Sequence, residues 1–255
     1  QVLQLIADAL KVGKKVAVPS DSRKFLRELE GILLKQGIPQ EKIKILDRES
    51  SHEPWARGIA ENPDDWFSRN DTWVFGFSPS IENGLSIAEE WFDEVDFYFC
   101  GTLEPRFAIQ MPIRYRPVVP WNGCIKKSVA GVGSSDPDIL LSDYRKNAEG
   151  IAIITELAVG IASKDGSEDV AQVLQRLLSD DESLSEAQWL KHRARIEARR
   201  NHGLKNLRSS IIGIWEARGY RVTEVESQPS EMKAFRKEIR QEIDGEESVA
   251  LAIAD

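Results

Sequence analysis

The sequence predicts an α/β protein, with a parallel sheet covered by helices and an all-helical region after it. Three observations predict this. Strand-like and helix-like segments alternate five times over roughly the first 120 residues. The strand-like segments are continuous apolar runs, as expected of parallel strands buried on both faces and joined by right-handed crossovers. Beyond residue 125 strand signals nearly vanish and apolar residues recur at helical spacing. The expected division is therefore a sheet domain over residues 1–125 and a helical accessory domain over 126–255.

Residues 1–14 carry a helical pattern and lead into an apolar strand at 14–19. Ser20, Asp21 and Ser22 follow, residue types that cap helices. The next helix places Phe25, Leu26, Leu29, Ile32 and Leu33 on one face, and Gly37 ends it. Residues 42–46 form the second strand. Residues 54–67 are helical with a break at Pro63. Residues 71–77 form a strongly apolar third strand. It enters the loop Ser78-Pro-Ser-Ile-Glu-Asn-Gly84-Leu-Ser86, with a short helix expected after it through Trp91. The fourth strand is 94–100. A helix then ends in Gln110-Met-Pro-Ile-Arg114-Tyr-Arg116, with residues 117–120 as the fifth strand.

In the second half, residues 136–163 read as one long helix, with Ile139, Leu140, Tyr144, Ala148 and Ile151 in step. A second helix spans 168–179 and a polar linker spans 180–183. A third helix covers 185–201. A fourth begins after Gly203 with Leu204, Leu207, Ile211 and Ile214 at helical spacing, and ends at Gly219. Residues 220–225 are a lone strand. The charged remainder from Gln228 is expected to be helical or partly disordered.

Composition narrows the function. The 255 residues carry a net charge of −8, which argues against a protein coated with nucleic acid but leaves room for a local basic face. No apolar run reaches the roughly 20 residues of a spanning helix. The start is not a signal peptide, and a first residue of Gln in helical pattern suggests an excised fragment. Cys100 and Cys124 lack zinc spacing and fit reduced thiols in a cytoplasmic protein. No metal site is predicted, and His52, His192 and His202 are scattered surface residues. Neither a phosphate-loop nor a dinucleotide glycine motif occurs, and neither does a nucleophile elbow or a zinc helix. The chain alone therefore lacks a recognisable catalytic apparatus.

Three stretches and one helix could still carry chemistry. Arg114 and Arg116, with Gln110 before them, suit phosphate, because a guanidinium fork matches phosphate oxygens two at a time. An arginine delivered to a transferring γ-phosphoryl group stabilises charge that appears only in the transition state. The bland alternative is a pair of surface arginines on a strand edge, paired with carboxylates. The loop holding Ser78, Gly84 and Ser86 could approach a ligand closely at its glycine, or be an ordinary turn. Ser20, Asp21 and Ser22 could contact phosphate, or only cap their helix. In the helical region Lys191, Arg195 and Arg199 fall at i, i+4 and i+8 and could track a nucleic-acid backbone. The same stripe could equally be a solvated face or dock on the acidic stretch 180–186. Trp189 and Trp215 fall on apolar faces and are expected in the core.

In this order the pieces resemble the second motor lobe of superfamily 2 helicases, with its RecA-like fold. The likeness is strongest to the helicase region of cyanobacterial plasmid replication proteins and more distant to the herpesvirus origin-binding helicase. It covers roughly residues 1–125, and more loosely the helical part. The resemblance implies that Gln110 and Arg114 belong to a sixth motif facing ATP, which with Mg²⁺ is bound by an absent first lobe. Arg114 would be the arginine finger, and Arg116 either its partner or a link to the fifth-motif loop. Ser78, Gly84 and Ser86 would form the fifth-motif loop, touching nucleotide and DNA backbone. Ser20, Asp21 and Ser22 would meet a DNA phosphate. The implied whole is an ATP-dependent DNA helicase in plasmid replication, acting on single-stranded DNA, with this fragment inactive alone. The sequence departs from the motif in two ways. Ile113 stands where a glycine usually precedes the first arginine, and the second arginine follows after two residues rather than three. A non-catalytic DNA-binding module using residues 189–208, or a small-ligand α/β domain, are the alternatives.

Overall fold

The computed structural model describes residues 2–79, 85–147, 185–225, 237–239 and 241. The expected helices at 168–179 and beyond residue 147, the linker 180–183, Gly84 and most of the segment from Gln228 lie outside these residues. Contacts divide the chain into two compact units, Gln1–Lys127 with Leu207–Asp255, and Ser128–Asn206. The first unit is thus discontinuous in sequence, with residues 207–225 gathered with the sheet.

Among the described residues, five parallel strands form one sheet in the order β2-β3-β1-β4-β5. They are β1 (Val16–Pro19), β2 (Ile43–Leu46), β3 (Val74–Phe77), β4 (Glu94–Phe99) and β5 (Trp121–Ile125). β1 is fully buried and pairs in register with β3 from Val16↔Val74 to Pro19↔Phe77. The first four strands fall where the apolar runs predict. The fifth does not. Residues 117–120 are not a strand, and the ladder to β4 begins at Val95↔Trp121. Pro117 and Pro120 have no N–H to donate, and Val118 is fully exposed. Pro120 contributes only its carbonyl, which accepts from the Val95 N–H at 3.0 Å.

One sheet face packs on α1 (Val2–Lys11) and α2 (Arg23–Lys35). Their apolar stripes meet Val16, Val18, Ile43, Ile45 and Val74 in one core. Ile239 joins that core and sits against Gly31. On the other face aromatic rings run from β3 outward. Phe75 lies 5.1 Å from Phe67 and 6.1 Å from Phe92, and Phe92 lies 5.7 Å from Tyr115. Phe67 belongs to α4 (Pro63–Arg69), which follows α3 (Pro54–Glu61), so the predicted break at Pro63 is present. The short helix expected through Trp91 is absent from 85–93. Asp64, in the first turn of α4, draws the Ala88 and Glu89 N–H groups to its carboxylate at 3.1 Å each and holds that loop extended.

α5 (Pro105–Ala108) and α6 (Gln110–Ile113) connect β4 to β5. The break at Ile109 falls where Pro112 cannot donate to the Ala108 carbonyl. α9 (Leu207–Ala217) lies on the sheet unit, with Trp215 buried 5.2 Å from the Phe97 ring. Residues 220–225 form no strand. Instead Tyr220 stacks on Trp121 at 5.2 Å.

In the second unit, residues 137–147 form α7, and α8 runs Ser185–Lys205. α8 passes through Gly203, where the sequence predicts a boundary, and stops before Asn206. A glycine inside a helix costs only about 1 kcal/mol. Buried Asn201 and Leu204 on either side hold the turn, Asn201 by donating to the Ser134 carbonyl at 2.8 Å. Leu190, Ala194 and Ala198 are buried along α8 as well, and the last two pack with Leu140. Trp189, expected in the core, is 55% exposed, with the Arg193 guanidinium 5.3 Å from its ring. No helix among the described residues is long and apolar enough to cross a membrane.

Candidate functional site

The arginine segment is held by a chain of contacts that starts in α4. The Asp64 carboxylate also accepts from the Trp91 indole N–H at 2.9 Å. The loop fixed in this way brings Ile87 beside Tyr115. The Ile87 N–H donates to the Arg114 carbonyl, and the Arg116 N–H donates to the Ile87 carbonyl, both at 2.9 Å. Tyr115 is 1% exposed. Its hydroxyl donates to the Phe92 carbonyl at 2.7 Å and accepts from the Phe92 N–H at 2.9 Å. Burial raises the phenol pKa above its ordinary value, so the hydroxyl keeps its proton and both bonds at neutral pH.

Arg114 closes the last turn of α6 in helical conformation (φ −65°, ψ −24°), and Arg116 follows the buried Tyr115. Both arginines line an open groove of about 1720 Å³ together with Gln110 and Ser86. No carboxylate among the described residues pairs with either arginine. The structure therefore brings together Gln110, Arg114, Arg116 and Ser86 from the residues the sequence singled out.

The others lie elsewhere. Ser20 and Asp21 are 0% and 2% exposed at the carboxyl end of β1. Ser20 Oγ donates to the Tyr98 carbonyl at 2.8 Å and accepts from the Ser22 N–H. Asp21 accepts from the N–H groups of Cys100, Gly101, Thr102 and Leu103 at 2.7–3.2 Å. Ser22 caps α2, accepting from the Phe25 N–H at 3.2 Å. Ser20 and Asp21 thus present no open face to a ligand. Ser78 is also buried, its N–H donating to the Leu46 carbonyl. Gly84 lies outside the described residues. Lys191, Arg195 and Arg199 belong to α8 in the second unit. Arg195 and Arg199 are exposed, and Lys191 is half-buried and engaged with neighbours.

Sequence reasoning missed part of the groove. Arg208, Arg218 and Arg221 line it as well, with Trp121 and Tyr220, and Glu224 is its one acidic lining residue. The Arg208 guanidinium is engaged, donating from Nε and Nη2 to the Ile125 carbonyl at 3.0 and 2.8 Å. The available signal was a pair of arginines flanking Gly219-Tyr220. It was hidden because 220–225 alternates like a strand.

One buried acid near the groove is only half satisfied. Asp96, inside β4, is 0% exposed. Asn122 Nδ2 donates to its Oδ1 at 3.0 Å, while Oδ2 has no partner among the described residues. Burial pushes its carboxyl up to about 7, against the pull of the Asn122 bond. Among the described residues no group of three or more His, Cys, Asp or Glu side chains is placed to hold a metal ion.

No family model matches the chain, and no curated protein matches it.

Proposed function

We propose that the sheet unit is the second, RecA-like lobe of an ATP-driven DNA helicase of plasmid replication, completed by a first lobe that binds ATP and Mg²⁺. One observation carries the reading. Arg114 and Arg116 flank a rigidly anchored tyrosine, face an open groove beside Gln110 and Ser86, and meet no acid among the described residues. Two arginines held on fixed backbone and kept from internal ion pairs suit charge that arrives with a partner. Arg114 reaches the γ-phosphate when the lobes close, and loses that contact after hydrolysis. The helical region stays in this proposal as an accessory domain.

The test is ATP turnover by the parent polypeptide, with and without single-stranded DNA, beside its Arg114→Ala form. The variant is expected to lose about 10³-fold in kcat with little loss of ATP binding. Wild-type turnover in that variant would sink the assignment. A second reading, a non-catalytic DNA-binding module, is favoured by the exposure of Arg195 and Arg199 along α8. It predicts DNA binding that is lost when Lys191, Arg195 and Arg199 are reversed in charge, and no turnover in any form.

A further inference from the structure

We infer that the groove along the open edge of β5 binds single-stranded nucleic acid, with Arg218 and Arg221 on the phosphates and Trp121 and Tyr220 as a platform for bases. β5 is an edge strand, paired only with β4. The groove beside it holds five arginine side chains against one acid, Glu224, in a chain whose net charge is −8. Arg208 is engaged with the Ile125 carbonyl. Arg218 and Arg221 are exposed and have no carboxylate partner among the described residues.

The aromatic pair lies in the same groove. The Trp121 and Tyr220 rings stack at 5.2 Å with 24° between their planes, and Tyr220 is 41% exposed. Behind them Trp215 braces Trp121 at 6.2 Å and is itself wedged on Phe97. The platform is therefore set by core packing and needs little ordering when a base arrives. Guanidinium groups beside exposed rings are the combination that holds unpaired strands, because every base has a face to stack and every nucleotide a phosphate to neutralise. A duplex keeps its bases stacked on each other and would leave the platform idle. An acidic peptide would use the arginines and also leave the rings idle. A volume of about 1720 Å³ exceeds the pockets of about 300–1,000 Å³ that hold single small ligands, which favours several linked nucleotides.

These side chains differ from those assigned to the γ-phosphate, so the two proposals can fail separately. The test uses the 255-residue chain and a fluorescein-labelled oligothymidylate of about 12 nucleotides, followed by anisotropy across a salt series. Arg218→Glu with Arg221→Glu is expected to weaken binding tenfold or more and to lower the slope of log affinity against log salt by about 2. Tyr220→Ala should weaken binding about fivefold to a hundredfold at unchanged slope. Thermal melts by circular dichroism confirm that each variant folds. Arg48→Glu with Arg57→Glu, two exposed positions after β2 at the opposite sheet edge, should leave affinity within about twofold. The inference is overturned if the wild type does not bind, if the Arg218/Arg221 variant binds within about twofold of it, or if polyglutamate at equal charge displaces the oligonucleotide completely. An Arg114→Ala motor that loses turnover while this binding persists would separate the two sites.

Discussion

The end of β1 and the segment after α6 look alike as text: short polar stretches, each next to a sheet element. In the folded chain they are opposites. At the end of β1 the side chains of Ser20, Asp21 and Ser22 all bond to the chain itself. After α6 only Tyr115 is engaged in that way, and the arginines on either side face the groove. Side-chain length explains the difference. Serine and aspartate carry their oxygens within reach of nearby N–H groups and satisfy them. Arginine carries its charge past the local backbone and tends to keep its head in solvent. A polar motif becomes a ligand site only where folding leaves its atoms unengaged.

The sharpest way to break that contrast is Asp21→Ala. Its carboxylate gathers four backbone N–H groups from the chain after β4, linking the ends of two central strands. Removing it takes a shared charged acceptor from four N–H groups at once, on residues that are half-buried or, at Thr102, exposed, so a loss of about 3–5 kcal/mol is expected in urea unfolding. A loss below about 1 kcal/mol would mean the carboxylate is not structural, and would return it to the list of ligand contacts.

Asp96 falls between the two cases, with one oxygen bonded and one not. The charged groups around it are Glu94, which raises its pKa, and Lys14, which lowers it, while the Asn122 amide donates to it. A folded value of about 7 exceeds the ordinary value near 3.9, so the folded state holds a proton that the unfolded chain releases. The stability this gives is complete below about pH 4 and is lost as pH rises through 7. Asp96→Asn stays neutral and keeps an acceptor for Asn122. It should match the wild type near pH 4 and exceed it by about 2–4 kcal/mol at pH 8. Parallel stability curves across that range would show that the second oxygen is solvated after all.

Much of the sheet was legible because four of its strands are apolar runs bounded by capping residues and glycines. β5 was not. Trp121-Asn-Gly-Cys-Ile125 is too polar to read as a strand, and it is one because it pairs with β4 at an edge where burial is partial. The extended path of 85–93 was hidden too, since it depends on Asp64 more than 20 residues earlier. Of the site, Gln110, Arg114, Arg116 and Ser86 were visible locally. Arg218, Arg221 and Tyr220 reach the groove only through the packing of α9, which no local pattern encodes. The burial of Ser20 and Asp21 was hidden for the converse reason, because their partners, Tyr98 and the N–H groups of 100–103, are about 80 residues away, whereas the cap that Ser22 makes is local and was legible.

The smallest expected effect is the most telling. If Arg114 and Arg116 stand clear of the fold, truncating them should leave it intact. Arg114→Ala with Arg116→Ala is expected to change unfolding free energy by less than about 1 kcal/mol, because Arg116 is exposed and half-buried Arg114 loses only the packing of its stem. Tyr115, between them, supplies the anchoring through its hydroxyl and buried ring, and the Ile87 bonds use only backbone atoms. Urea unfolding at moderate salt measures this directly. A loss of 1–2 kcal/mol, or about that, would place the arginines in the fold's own hydrogen-bond network and assign them the role Asp21 has. A neutral result would leave two guanidinium groups held in place at no benefit to stability, and that is the condition under which their charge is available to something outside the chain.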